Sequence, residues 1–295
     1  DMAGQGHREL LSLLTALIGR PGSVVFLDEP ASNMHPTLLY QFLVDLLGLG
    51  DSECSEELKR NQAVVITHSP AVAKLFMEAD VGASDLSILR VHRDGRVGAS
   101  VIEHLTPDKW QGSKEEFLKA IGRIVDPRVL FARGVVLCEG SDDRAFLEEA
   151  LRLSGGWEKL LRNDIEIVYM DGKGNLKHYK GLLDELKIPY LAVLDGDARE
   201  DPLGDEPDDS ICVLKPPSEG EGDVDAIIHE GCKYILLEPK ELEGFLRGLG
   251  LDVKGKADSE KLYELIEEAK NNPDFNRKFV RTGKILSQLI NNALN

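Results

Sequence analysis

Six times along the chain a short apolar run, rich in β-branched residues, stops at a polar or acidic residue: SVVFLDEP (residues 23–30), AVVITHSP (63–70), VVLCEG (135–140), IEIVYMDGKGN (165–175), YLAVLDGD (190–197) and ICVLKP (211–216). Between them, apolar residues recur at spacings of three and four in LLSLLTALI (10–18), HPTLLYQFLVDLLGLG (35–50), DDRAFLEEALRL (142–153) and LKHYKGLLDELK (176–187), the period of a helix with one buried face. Strands alternating with helices require a parallel sheet covered on both sides, so the chain is predicted to be α/β, with SVVFLDEP a fully buried strand. LSILRVHRDGRVGASVIEHL (86–105) predicts a hairpin around Asp94-Gly95, KEEFLKAIGRIV (114–125) a helix, and everything from about Ile235 a helical region. The two α/β stretches carry different motifs, and 295 residues suit two domains. The predicted division is 1–105, a helical connector over 106–133, a second α/β domain over 134–234 and a helical C-terminal region over 235–295.

A formal net charge of −17 argues against binding nucleic acid by global attraction, so any such contact must be local or carried by metal ions. No apolar run approaches the roughly 18 residues of a membrane helix, and DMAGQGHREL has no signal-peptide pattern. A cytoplasmic location without membrane contact follows as an expectation. Cys54, Cys138, Cys212 and Cys232 stand far apart with no zinc-type spacing and read as reduced apolar fillers. The acidic tract between Asp195 and Asp225 reads mostly as a solvated, partly flexible loop.

Carboxylates at strand ends carry the chemistry. In LDEP, Asp28 can hold Mg²⁺ through water while Glu29 polarises an attacking water, and His68 at the end of the next strand can sense a γ-phosphate. Glu139 ends a third strand and Asp143 lies four residues on, so in a strand-to-helix turn both can face one spot above the sheet's carboxyl edge. Asp195 and Asp197, two apart at another strand end, project to the same side. Four clustered carboxylates repel one another unless cations neutralise them, and oxygen ligands without His or Cys select Mg²⁺ or Mn²⁺.

The LDEP strand end and His68 resemble the Walker B segment and switch histidine of ABC-type ATPases, and MAGQGHREL (2–10) resembles a degenerate form of their signature loop. The phosphate-binding loop of such ATPases, GxxxxGK[ST], is not found upstream. GLDVKGKA (250–257) mimics it but follows a helix and ends in Ala257 where a metal-binding hydroxyl is needed. The chain is therefore expected to be the C-terminal part of a longer protein, with an ATPase half that does not hydrolyse ATP alone. The E-G-x-x-D then D-x-D order over about residues 134–244 resembles a Toprim domain. An ABC-type half ahead of a Toprim half resembles the OLD (overcoming lysogenisation defect) family of ATP-dependent nucleases, which includes anti-phage defence nucleases. The implied fold is the C-terminal portion of an ABC-type ATPase domain, a Toprim domain with a Rossmann-like parallel sheet, and a small helical tail.

The same resemblance implies two-metal hydrolysis of DNA phosphodiesters with Mg²⁺ or Mn²⁺, ATP bound through the full-length ATPase domain, a homo-oligomer formed through the ATPase half and a possible defence partner protein. Glu139, Asp195 and Asp197 would hold one ion, Asp143 with Glu241 and Glu243 the other, and Lys284 would offset charge on the reacting phosphate. Glu238 competes for the role of Glu241 or Glu243. MDGKGN (170–175) matches a family turn in which Lys173 suits a phosphate, and Lys173, Lys177 and Lys180 suggest a local DNA strip. A topoisomerase would need a nucleophilic tyrosine in a separate domain, a context none of the six tyrosines has. The alternative from another class is a non-catalytic, ATPase-linked sensor or assembly subunit with a structural metal.

Overall fold

The computed structural model describes residues 22–30, 35, 37–40, 62–78, 87–93, 98–110, 114–217, 222–253 and 259–294. The signature-like residues 2–10, the helix expected at 10–18, most of that expected at 35–50, the Asp94-Gly95 turn, Cys54 and the end of the 250–257 stretch lie outside them. The chain divides into two compact units, Asp1–Leu89 with His104–Gly122 and Arg90–Glu103 with Arg123–Asn295.

In the first unit β1 (Val24–Asp28) pairs in parallel with β2 (Gln62–Ile66), which leads into α1 (Pro70–Glu78). Contrary to the expectation of full burial, β1 buries Val25 and Leu27 but leaves Phe26 71% exposed. Among the described residues it pairs with β2 and is covered on one face, which gives alternation instead of a continuous apolar core strand. The predicted hairpin strands form as β3 (Ile88–Arg93) and β4 (Ser100–Leu105), a two-stranded sheet of their own counted mostly with the second unit, and α2 (Lys114–Gly122) follows in the first.

The second unit runs β5 (Gly134–Cys138), α3 (Ser141–Ser154), α4 (Trp157–Arg162), β6 (Ile165–Tyr169), α5 (Leu176–Glu185), β7 (Tyr190–Asp195), β8 (Ile211–Lys215), β9 (Asp225–Ile227), β10 (Tyr234–Leu237), α6 (Leu242–Leu249), α7 (Ser259–Ala269) and α8 (Pro273–Leu294). Its six-stranded sheet has the order β6-β5-β7-β10-β8-β9, parallel except for β9. The chain leaves β5 toward β6 on one side and returns to β7 on the other, so β5 and β7 flank the switch point where open α/β sheets present ligands. All five β5 residues are buried. Helices cover the sheet through an aromatic cluster: Phe146 of α3 meets Phe245 of α6 and Phe279 of α8 edge-on, at 5.8 and 5.7 Å.

Two further expectations are corrected here. The segment from Ile235 does not begin as helix: Tyr234–Leu237 is a fully buried strand between β7 and β8, and helix starts at Leu242. Four apolar residues are too few for a helix and fit a central parallel strand. The short α4 and the antiparallel β9 carried no predicted element. The acidic tract is more ordered than a solvated loop: Ala198 and Leu203 are buried, Arg199 pairs with Asp208, and Glu206 accepts from Lys180 Nζ and Tyr234 OH. Gly250 caps α6 at φ 102, the conformation of a helix stop and not of a strand-borne phosphate loop.

Candidate functional site

In the first unit, the register of β1 with β2 places Asp28 opposite Ile66 and brings the two strand ends together. Glu29 takes a left-handed φ of 46 and donates its N–H to the Ile66 carbonyl at 2.8 Å. Its Oε1 accepts the His68 N–H at 2.9 Å and lies 2.6 Å from His68 Nδ1, while Thr67 Oγ1 reaches Oε2 at 3.4 Å. The hydrogen bond from His68 holds the Glu29 carboxyl below its ordinary range. The residue chosen to polarise water and the residue chosen to sense phosphate therefore touch.

In the second unit, Glu139, Asp142, Asp143, Asp171, Asp195, Asp197, Glu241 and Glu243 line one cleft of about 420 Å³. Four short connections place them. Glu139 follows β5, and its Oε1 accepts the Asp195 N–H at 2.9 Å, so two metal-ligand candidates from separate strands are bonded directly. Asp143 sits in the first turn of α3, where its Oδ2 accepts the Gly140 N–H at 2.7 Å and closes the helix start. Gly196 lets the turn after β7 approach the end of β10: a Cβ there would lie 3.1 Å from both the Leu237 and Pro239 carbonyl oxygens. That approach brings Asp195 and Asp197 beside Glu241, which caps α6, and Glu243 in its first turn. The partial positive charge at the starts of α3 and α6 favours anions there, offsetting part of the repulsion.

The remaining repulsion is visible in the acids. Burial first, and then the charges of Glu139, Asp197 and Glu243, raise Asp195 from an ordinary 3.8 to about 7. Burial and the Asp195 charge raise Asp143 well above its ordinary range. Asp195 Oδ1 and Glu243 Oε1 are buried without a hydrogen-bond partner. Native Asp195 keeps a proton that the unfolded chain releases, so stability falls as pH rises through the window from about 4 to about 7. In EDTA the melting temperature is expected to drop between pH 5.5 and 8, and 1 mM Mn²⁺ should reverse most of that drop; thermal scans at the two pH values check both signs.

Donor type and burial fit a hard divalent ion: the donors are oxygens, several are buried, and two lack partners. Yet among the described residues no three ligand-type side chains stand close enough to close around a metal. The carboxylates line the cleft wall without closing on one point. Lys173 Nζ, 2.7 Å from Asp197 Oδ2, supplies one positive charge.

Not every candidate arrives. Lys284 lines a different cleft of about 250 Å³ with Ser154, Gly155, Gly156 and Lys159, at the far end of α3. The 14 residues of α3 span roughly 21 Å, which removes Lys284 from the acids that precede and open that helix. Glu238 pairs with Lys215 at 3.0 Å and does not line the acidic cleft, whereas Glu241 and Glu243 do. Lys180 is engaged by Glu206. Asp142 and Asp171 joined the cleft without having been chosen, although Asp171 follows β6 and obeys the same strand-end rule as the others.

Comparison with known proteins bears on both units. Residues 130–197 match the family described as "Overcoming lysogenization defect protein-like, TOPRIM domain", and residues 1–74 match "AAA domain, putative AbiEii toxin, Type IV TA system". The Old nuclease of Escherichia phage P2 is 23% identical over 210 residues, which are 67% of this chain and 34% of the phage protein. The chain thus matches about a third of that relative's length.

Proposed function

We propose, from the premise that this chain belongs to the OLD family and carries an ATPase-like segment ahead of a Toprim domain, that its acidic cleft hydrolyses DNA phosphodiester bonds as a metal-dependent endonuclease or nickase. The observation that carries this reading is the bond from the Asp195 N–H to Glu139 Oε1 beside the unpartnered Asp195 Oδ1 and Glu243 Oε1. Glu139, Asp195 and Asp197 would hold one Mg²⁺ or Mn²⁺, and Asp143, Glu241 and Glu243 a second. When bound, such a pair activates the attacking water and stabilises the leaving oxygen.

The chain's own residues do the rest. Asp195 gives up the proton that burial favours, Glu139 keeps the β5 and β7 ends in register, and Asp143 ties its carboxyl to the start of α3. The Glu29–His68 pair supports an ATP-responsive role for the first unit in the full-length protein, with Asp28 as its Mg²⁺ partner. A part in phage defence or DNA processing, a homo-oligomer, a defence partner and a cytoplasmic location rest on family resemblance alone.

Supercoiled plasmid incubated with the purified chain and 1–10 mM Mn²⁺ is expected to become nicked, and EDTA should stop the reaction. Intact plasmid across Mg²⁺, Mn²⁺ and Co²⁺ would exclude nuclease activity for this chain. The rival reading, a non-catalytic ATPase-linked sensor or assembly subunit with a structural ion, draws on the spread of the carboxylates. It requires metal-dependent stabilisation without any cleavage in the same samples.

A further inference from the structure

Lys173 stands where a dication would have to displace it. Its turn, between β6 and α5, is tightly held: the Gly172 N–H donates to the Glu139 carbonyl at 2.9 Å, and Asn175 Nδ2 donates to the Met170 and Asp171 carbonyls at 2.9 and 3.1 Å. Asp171 at φ 59 and Gly172 at φ 102 turn the backbone just ahead of Lys173, which reaches Asp197 on the cleft wall. Its Nζ lies 2.7 Å from Asp197 Oδ2, with the two side chains 29% and 35% exposed. An ammonium this near competes with a divalent ion for the same carboxylate, because two cations within a few ångströms repel each other. The long lysine stem allows it to swing while its backbone stays fixed. The anion that arrives at such a site with the metal is a phosphate of the DNA strand.

We propose that Lys173 has two alternative partners: Asp197 in the metal-free cleft, and a DNA phosphate oxygen once a divalent ion takes Asp197. The exchange makes Lys173 a gate on metal entry and a positioning residue for the substrate, which adds the contest for Asp197 to the phosphate role that the family turn implies for Lys173. It rests on the metal reading of the cleft above, and the test separates the two.

Mn²⁺ binding is measured by calorimetry without DNA for wild type, Lys173→Met and, as a control for simple charge loss, Lys177→Met on the exposed start of α5. Binding of a short duplex is then measured in Ca²⁺. Lys173→Met is expected to bind Mn²⁺ about three- to tenfold more tightly than wild type and the duplex about three- to tenfold more weakly, with Lys177→Met within about twofold of wild type for Mn²⁺. Unchanged or weaker Mn²⁺ binding by Lys173→Met overturns the exchange while leaving the metal reading standing, as does equal tightening in Lys177→Met. Unchanged duplex binding overturns the phosphate half. A wild type that takes up no Mn²⁺ removes the metal reading and this inference with it.

Discussion

Asp195→Asn is expected to lower Mn²⁺-dependent DNA cleavage by about a thousandfold or more while raising the melting temperature of the metal-free protein at pH 8. The activity loss follows from removing one of the three carboxylates proposed to hold the first ion, a loss of about 4 kcal/mol or more in transition-state stabilisation. The stability gain follows from the same charge. Ionised Asp195 is largely buried, faces Glu139, Asp197 and Glu243, and leaves Oδ1 without a partner. A neutral amide of the same size removes that repulsion. Discounted for the part of the group that water reaches, the gain is about 1–2 kcal/mol, or roughly 2–8 °C. Plasmid nicking and thermal scans in EDTA read the two effects separately. A variant that cleaves within tenfold of wild type shows Asp195 to be dispensable, and one that melts lower shows the carboxylate to be a structural asset instead of a functional cost.

The second large effect lies away from the chemistry. At Gly283, α8 crosses α3 so closely that an added Cβ would sit 1.9 Å from the Ala150 carbonyl oxygen and 2.6 Å from its carbon. Backbone cannot yield as a flexible side chain can, so Gly283→Ala must lift α8 off α3. The loss includes the edge contact of Phe279 with Phe146, and α3 is the helix that Asp143 closes at its start. A cost of about 3 kcal/mol or more is expected, roughly 6–12 °C in Tm, with Mn²⁺ affinity falling as the Asp143 end loosens. Ala at the exposed Gly155 would not serve as a control, since its φ of 75 carries strain of its own. Gly122, with open space around it and an ordinary helical place, is the proper comparison. A Gly283→Ala protein melting within 2 °C of wild type would contradict the close crossing.

What could be read from the sequence follows a physical divide. Strand ends were legible because an α/β sheet forces ligands to its carboxyl edge, so Glu139, Asp143, Asp195 and Asp197 could be grouped from spacing and periodicity. Glu241 and Glu243 came only from family resemblance, since nothing local distinguishes them from a solvated helix face. The strand Tyr234–Leu237 was hidden because four apolar residues have no resolvable period. The cleft that Lys284 lines was hidden for a related reason: one lysine on an amphipathic helix carries no record of which end of α3 it will meet, and that depends on the Gly283 crossing. The pairing of Lys173 with Asp197 needed the left-handed turn at Asp171 and Gly172, for which Asp-Gly gave only a hint.

Gly196 is more than a spacer between two acids. The hydrogen it presents to Leu237 and Pro239 sets how near the loop of β7 comes to that of β10. A sequence could retain every acidic residue, fill that one gap with a methyl group, and keep all its charges while having to push their two loops a few tenths of an ångström apart.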